Sequence, residues 1–384
     1  MSGLTFLRLF GIPIRLHPSW IIIAVLIAWS LGAGLFPDQY KELATSTHWM
    51  MAVAATAGLF ASIIVHELAH ALVARRCGVE MKGITLFIFG GVAEMTGEPP
   101  GPRAEGLVAI AGPIASVLVA GVLAVAWIAC ALTPGGGAAL AACAGVAGYL
   151  ALLNGVLVAF NLVPAFPLDG GRVLRALLWW WKDDLRWATR ITASIGRGFG
   201  VALIGLGVLS VIAGAFVAGM WWFLLGLFIF NAARASYQHV LIRRALEGEP
   251  VRRFMKTDPI TVPPDITVQS LVDDYILAHH YKMFPVREGG ELIGWVASEQ
   301  VRDIPRDEWS RIHLSDIVRA SDDENTIDAD ADAIDAFRRM SRTGTSRLLV
   351  SENGRVAGIL AMKDLMRFLS LKMELEEGQK APWG

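Results

Sequence analysis

Three cysteines in 384 residues, Cys77, Cys130 and Cys143, share no paired spacing. That excludes both a disulfide framework and a thiolate metal site as organising features. Charge is scarce too: Lys, Arg, Asp and Glu make up 18% of the chain, and 34 basic against 35 acidic side chains leave a net charge of -1. Without a basic surplus there is no electrostatic footprint for nucleic acid, and none is expected as a partner. A cleavable signal is not expected either, because the apolar run after Arg8 and Arg15 continues to spanning length without a small-residue cleavage pattern. What the chain has instead is hydrophobic length. It is 54% hydrophobic with a mean hydropathy of +0.49, too apolar for one soluble globule, and its apolar runs lie in the first 235 residues.

A bilayer core takes about 20 apolar residues in helix. Four runs reach that length clearly: Trp20–Phe36, Met50–Val73, Leu107–Leu132 and Ala138–Leu162. A fifth, Phe199–Ala233, is long for one crossing and slightly short for two. Basic residues near helix ends mark the cytoplasmic side. They precede the first run (Arg8, Arg15), follow the second (Arg75, Arg76, Lys82) and the fourth (Arg172, Arg175, Lys182, Arg186), and recur as Arg234, Arg243 and Arg244. Two short or tilted crossings in the fifth run keep every cluster on one face. The expectation is six helices in a multi-pass protein of a prokaryotic cell membrane, with both termini cytoplasmic.

Between the second and third runs, Ile84–Phe89 and Val92–Met95 flank Gly90-Gly91, a hairpin pattern. It is expected to dip into the membrane face from the cytoplasmic side. From Pro250 the chain turns polar and repeats itself: Val286–Gly294 aligns with Val350–Gly358 at an offset of 64 residues. Each copy reads as helix, strand, polar turn, strand and helix. Units this small bury a core only by packing on each other.

His66-Glu67-Leu68-Ala69-His70 lies within the second run. Residues four apart share one helix face, so both imidazoles can reach one ion, and Glu67 can address a water bound to it. Ionisable residues inside a spanning helix cost about 2.5–3.5 kcal/mol on insertion scales, which a metal in a polar cavity would offset. A catalytic zinc takes three protein ligands and keeps one open position. The best candidate for the third is Asp169, in the segment Asn161–Arg172, since the second and fourth runs end on the same face. Pro164, Pro167, Gly170 and Gly171 break the helix there and free backbone groups that a cavity must satisfy.

His66–His70, Asn161–Gly171 and Ala111-Gly112-Pro113, in this order, resemble the site-2 protease family of intramembrane zinc metalloproteases (peptidase family M50). The resemblance covers residues 1–240. It implies cleavage of membrane-spanning substrates, one Zn2+ per chain on His66, His70 and Asp169, and Asn161 as a polar group near the scissile peptide. The Ile84–Met95 hairpin resembles the family's membrane-embedded strand pair, and Phe87, Ile88, Gly90 and Gly91 are the substrate-contacting candidates on it. The tail resembles tandem CBS domains. Their usual Gly, two apolar residues, Ser or Thr, two variable residues and ribose-binding Asp is kept in Gly358–Asp364 except for the hydroxyl. The first copy, Gly294–Gln300, lacks both. An adenine nucleotide is expected at Asp364 at most, and a structural or dimerising module is the alternative.

The expected fold is therefore a polytopic α-helical membrane protein of about six transmembrane helices with a membrane-embedded β-hairpin, plus a soluble α/β CBS-pair domain. Its divisions are a metalloprotease domain at 1–240, CBS repeats at 250–308 and 309–372, and a flexible tail at 373–384. The expected activity is regulated intramembrane proteolysis by zinc-activated water with Glu67 as general base. Its partners are the bilayer, a membrane-spanning protein substrate, paired by strand addition along the hairpin, and a second copy of the chain through the CBS domains. A metal transporter or a protease-dead scaffold is the other reading. Ionisable residues gathered at one depth argue against transport, and the presence of Glu67 argues against a dead scaffold.

Overall fold

The first ordered feature precedes every membrane run. Leu4–Leu9 (β1) and Ile12–Leu16 (β2) alternate apolar and polar residues around Phe10-Gly11. Both turn residues have positive φ, +50° and +81°, and Leu9 faces Ile12, as in a two-residue hairpin of the kind that suits strand twist. In this computed structural model, which describes residues 4–378 except 89, 96, 98, 136, 290, 321, 323, 353 and 354, the chain forms two units, Met1–Gln238 and His239–Gly384.

In the first unit β2 pairs in parallel with β3 (Met81–Phe87), placing Ile14 opposite Ile84 and Leu16 opposite Leu86. β3 pairs antiparallel with β4 (Gly90–Met95), so the sheet order is β1-β2-β3-β4. Ile12, Ile14, Ile84 and Leu86 bury themselves against Leu68 and Ala71, which clamps the sheet to the helix carrying both histidines. One expectation is corrected here. Gly90-Gly91 is not the hairpin turn: Gly90 faces Phe87 and Gly91 faces Leu86, inside the ladder. Of the two hairpin strands, β3, which carries Phe87, is paired on both sides, and β4 lies at the sheet edge.

Among the described residues six helices are long and apolar enough to cross a membrane: α1 (Ser19–Gln39), α2 (Thr45–Arg76), α3 (Pro102–Leu132), α4 (Gly137–Asn161), α6 (Leu185–Ile212) and α7 (Phe216–Leu246). A further helix of 14 residues, α5 (Asp169–Lys182), follows α4. The fifth apolar run divides near Gly214, whose φ of +89° lies between the two helices. Its helices are not short. They reach 28 and 31 residues because α6 begins at Leu185, where Arg186, Arg190 and Arg197 mask it from a hydropathy reading, and α7 runs on to Leu246. α6 and α7 touch through glycines: a β-carbon on Gly200 would lie 2.8 Å from the Gly226 carbonyl oxygen, and one on Gly207 2.7 Å from that of Gly219. Small residues of this kind let membrane helices approach closely where no hydrophobic drive exists. The β2–β3 pairing needs both strands on one side of the membrane, which the two crossings α1 and α2 between them provide.

The second unit holds two copies of one motif. The first has α8 (268–279), β6 (Met283–Glu288), β7 (Glu291–Ala297) and α9 (Ser298–Arg302), around Val268, Leu271, Phe284 and Val296. The second has β8 (Thr326–Asp328), α10 (Ala333–Thr343), β9 (Arg347–Glu352), β10 (Arg355–Ala361) and α11 (Met362–Gly378), around Leu348, Val350, Leu360 and Leu365. β5 (Lys256–Thr257) extends the second sheet to β5-β10-β9-β8. Of residues 373–384, 373–378 continue α11 and the rest lie outside the described residues.

Candidate metal centre

α2 presents His66 and His70 one turn apart, and α3 fixes both rings from behind. His70 Nδ1 donates to the Val108 carbonyl at 2.6 Å, and His66 Nδ1 shares a hydrogen bond with Ser116 Oγ at 2.9 Å. A carbonyl oxygen only accepts, so the proton of a neutral His70 sits on Nδ1 and its Nε2 lone pair faces inward. There the two Nε2 atoms lie 3.1 Å apart, and Asp169 Oδ2 lies 3.1 Å from His66 Nε2 and 3.2 Å from His70 Nε2. All three residues are buried. Zinc bonds of about 2.0–2.1 Å in a tetrahedron put ligand atoms about 3.3–3.4 Å apart, so the observed triangle is nearly one face of that polyhedron. Three converging lone pairs in a buried place form a set that could hold a divalent cation.

Gly112 makes room for the rings. A β-carbon on it would overlap His70 Nε2 and stand 2.7 Å from His66 Cε1. Asp169 opens α5, and Gly170 and Gly171 behind it leave no space for side chains: a β-carbon on either would run into the backbone at Leu162 or Ala165. The Asp-Gly-Gly sequence thus lets the helix start press against the preceding loop. Further along α5, Arg175 donates through Nε to Glu105 Oε1 at 2.7 Å, in an ion pair buried on both sides, and covers the Phe166 ring.

The triangle opens onto a cavity of about 580 Å³. Every candidate that the sequence nominated in this unit lines it: His66, Glu67, His70, Asn161, Asp169, Phe87, Ile88, Gly90 and Gly91. Glu67 packs beside β4, where a β-carbon on Gly91 would lie 2.6 Å from its Cγ. Val92, Ala93 and Met95 carry the free edge along the same wall. Sequence reading missed Ser116, the Val108 carbonyl and the Glu105–Arg175 pair. A polar residue inside an apolar run was the available signal for Ser116. His48 and His17 lie elsewhere, on the Tyr40 carbonyl and on Ser19.

In the second unit Asp364 lines a 120 Å³ cavity with Lys256, Tyr281, Arg347 and Lys363, and its Oδ2 is buried with no hydrogen-bond partner among the described residues. Burial pulls the Arg347 guanidinium below its ordinary range, opposed by Asp364 and Glu299. The equivalent side chain of the first copy is occupied: Gln300 accepts from the Ala297 N–H at 2.6 Å and donates to the Ile317 carbonyl at 2.8 Å.

Six membrane-length helices around a buried His-Glu-x-x-His segment and a distant aspartate define a multi-pass membrane protein of the metalloprotease class. The pattern of "Peptidase family M50" matches residues 54–134 and 131–204, and that of "CBS domain" residues 251–306 and 312–371. A Mycobacterium tuberculosis protein named "Putative zinc metalloprotease Rip3" is 34% identical over 95% of this chain and 92% of its own length. A zinc metalloprotease of Methanocaldococcus jannaschii is 30% identical over 97% of both chains. The solved site-2 protease from that organism is 31% identical, covering 61% of this chain and 94% of that one, with a TM-score of 0.41. The chain belongs to peptidase family M50, the site-2 proteases, and carries C-terminal tandem CBS domains.

Proposed function

We propose that this chain is an intramembrane zinc metalloprotease that cuts membrane-spanning or membrane-associated proteins. The observation that carries the reading is the convergence of two Nε2 lone pairs and one carboxylate oxygen beside a second carboxylate, Glu67, on one cavity wall. His66, His70 and Asp169 would hold one Zn2+. When bound, the ion lowers the pKa of a coordinated water and polarises a carbonyl. Glu67 takes the attacking water's proton and returns it to the leaving amine. Ser116 and the Val108 carbonyl keep both imidazoles turned inward. Asn161 offers a polar group beside the scissile peptide. A helical substrate hides its carbonyls in its own hydrogen bonds, and β4 supplies replacement pairing once it unwinds.

The experiment is a pair of variants. Glu67→Gln should keep about one zinc per chain and lose cleavage, since it removes a base and no ligand. Asp169→Ala should lose zinc. A metal-free Glu67→Gln, or stoichiometric zinc in Asp169→Ala, would sink the role assignment.

The distribution of Arg and Lys supports cytoplasmic termini, and relatives from bacteria and archaea support a prokaryotic cell membrane. The unpartnered Asp364 oxygen amid Lys256, Arg347 and Lys363 supports one adenine-nucleotide site per chain that regulates cleavage. Exposed Leu277 on α8 and Leu371 on α11 support a second copy as partner of the CBS pair.

A further inference from the structure

α5 carries charged side chains at three positions three apart, Asp169, Arg172 and Arg175, which therefore follow one another along one side of the helix. The outer two are engaged, Asp169 with the histidines and Arg175 with Glu105. The Arg172 side chain has no hydrogen bond or ion pair with any described residue. It lines the 580 Å³ cavity with Glu67 and Asp169, is within electrostatic range of both, and is the one Lys or Arg among the described lining residues. A guanidinium keeps its charge at any working pH. A guanidinium with no side-chain partner on the wall of this cavity, beside the place where hydrolysis would develop negative charge, asks for an anion.

We infer that Arg172 binds the scissile carbonyl oxygen as it becomes anionic, and holds it afterwards as one oxygen of the product's new carboxylate. The inference rests on the hydrolytic reading above. Attack by water forms a C–O bond and moves the carbonyl π pair onto that oxygen, while one water proton passes to Glu67. Collapse restores C=O and breaks C–N, and the amine takes the proton from Glu67. The remaining water proton follows to the amine as the carboxylate forms. The same oxygen thus carries negative charge at two stages. A cation fixed in a water-poor cavity stabilises that charge far more than one in bulk water. Arg172, unlike a backbone donor, also brings two parallel N–H groups that match a carboxylate.

Glu105 supplies the competing explanation. Its Oε2 is buried without a hydrogen-bond partner among the described residues, and Arg172 lies within its electrostatic range, so Arg172 could serve only to balance Glu105.

The test uses full-length protein in lipid nanodiscs, loaded with zinc. Turnover is measured on a single-span membrane protein that the parent cleaves. Binding is measured for two apolar hexapeptides of identical sequence, one ending in a free carboxylate and one in a carboxamide. Arg172→Gln should lower kcat by about 10²–10³-fold, the scale for removing one oxyanion donor, with zinc content unchanged. KM should stay within a factor of about three, because the lost contact belongs to the transition state. The parent's preference for the carboxylate peptide should disappear in Arg172→Gln and survive in part in Arg172→Lys. An unchanged kcat, or an intact carboxylate preference in Arg172→Gln, overturns the inference. So does recovery of turnover when Glu105→Gln is added to Arg172→Gln, which would assign Arg172 to balancing Glu105. A parent that binds zinc but cleaves nothing would sink the hydrolytic reading instead, and the peptide pair would still decide whether Arg172 holds a carboxylate.

Discussion

Gly112 lies so close to His70 that a β-carbon on it would overlap the ring nitrogen facing Asp169. The glycine in the middle of α3 therefore exists for the histidines of α2 and not for its own helix, where alanine is favoured by about 1 kcal/mol. Gly112→Ala should leave helix content unchanged and weaken zinc binding by about 10–100-fold, the scale for disturbing a ligand's support. Competition against a graded chelator reads this directly. Parent-like affinity would mean that the rings yield without moving their nitrogens.

The free edge of β4 leads to a sharper test of strand addition than prolines in β3, whose backbone is already paired on both sides. Phe87 and Gly90 face each other across a two-residue turn, and Thr85 faces Val92. Alternation then points the Ala93 N–H away from β3. Ala93→Pro should remove one donor available to a substrate strand, lowering cleavage with zinc retained. Undiminished turnover would argue that substrate pairs elsewhere.

Glu105 and Arg175 tie α3 to α5, and hence the histidine support to Asp169. Glu105→Ala leaves a guanidinium buried and unpaired, a change that costs about 3–5 kcal/mol in comparable sites. The expected outcome is a clearly lower melting temperature. Glu105→Met combined with Arg175→Met should recover most of it, since no orphan charge remains. A double variant as unstable as Glu105→Ala would show that the pair stabilises by more than mutual neutralisation.

In the second unit, ATP or AMP at a hundredfold excess over its dissociation constant should stabilise the fold by about 2.7 kcal/mol. The full-length chain should show this as a thermal shift that Asp364→Ala abolishes and Gln300→Ala leaves intact. A shift equally reduced by both variants would place a nucleotide at each copy. No shift with either nucleotide would leave the pair as a docking module.

The His66, His70 and Asp169 cluster was legible because its pattern is written locally. Two histidines four apart on one helix need no tertiary information, and the helix-breaking Pro164–Gly171 stretch marks Asp169 as belonging to a turn at matching depth. The sheet was legible only in part. Gly90-Gly91 has the composition of a turn, yet Gly91 is glycine because Glu67 occupies the space of its side chain. Local turn chemistry and tertiary crowding select the same residue, and one sequence cannot separate them. β1 and β2 were overlooked although Phe10-Gly11 between alternating strands is a hairpin signal. Short strands beside a long apolar run are easily absorbed into it. The start of α6 was hidden by Arg186, Arg190 and Arg197, since a hydropathy reading measures apolarity and not helix.

The parallel pairing of Ile14 with Ile84 has a consequence for biogenesis. Two segments 70 residues apart must meet across both strands of an inserted helical hairpin before β3 acquires its inner neighbour. β4 can be aligned along the cavity only after α1 and α2 have both entered the membrane and returned the chain to its starting side. A ribosome-bound chain that stops short of that point carries the histidines but lacks the β2–β3 pairing from which β4 is laid down. The order of synthesis thereby places β4 only after the helix that bears both histidines is already in its bilayer.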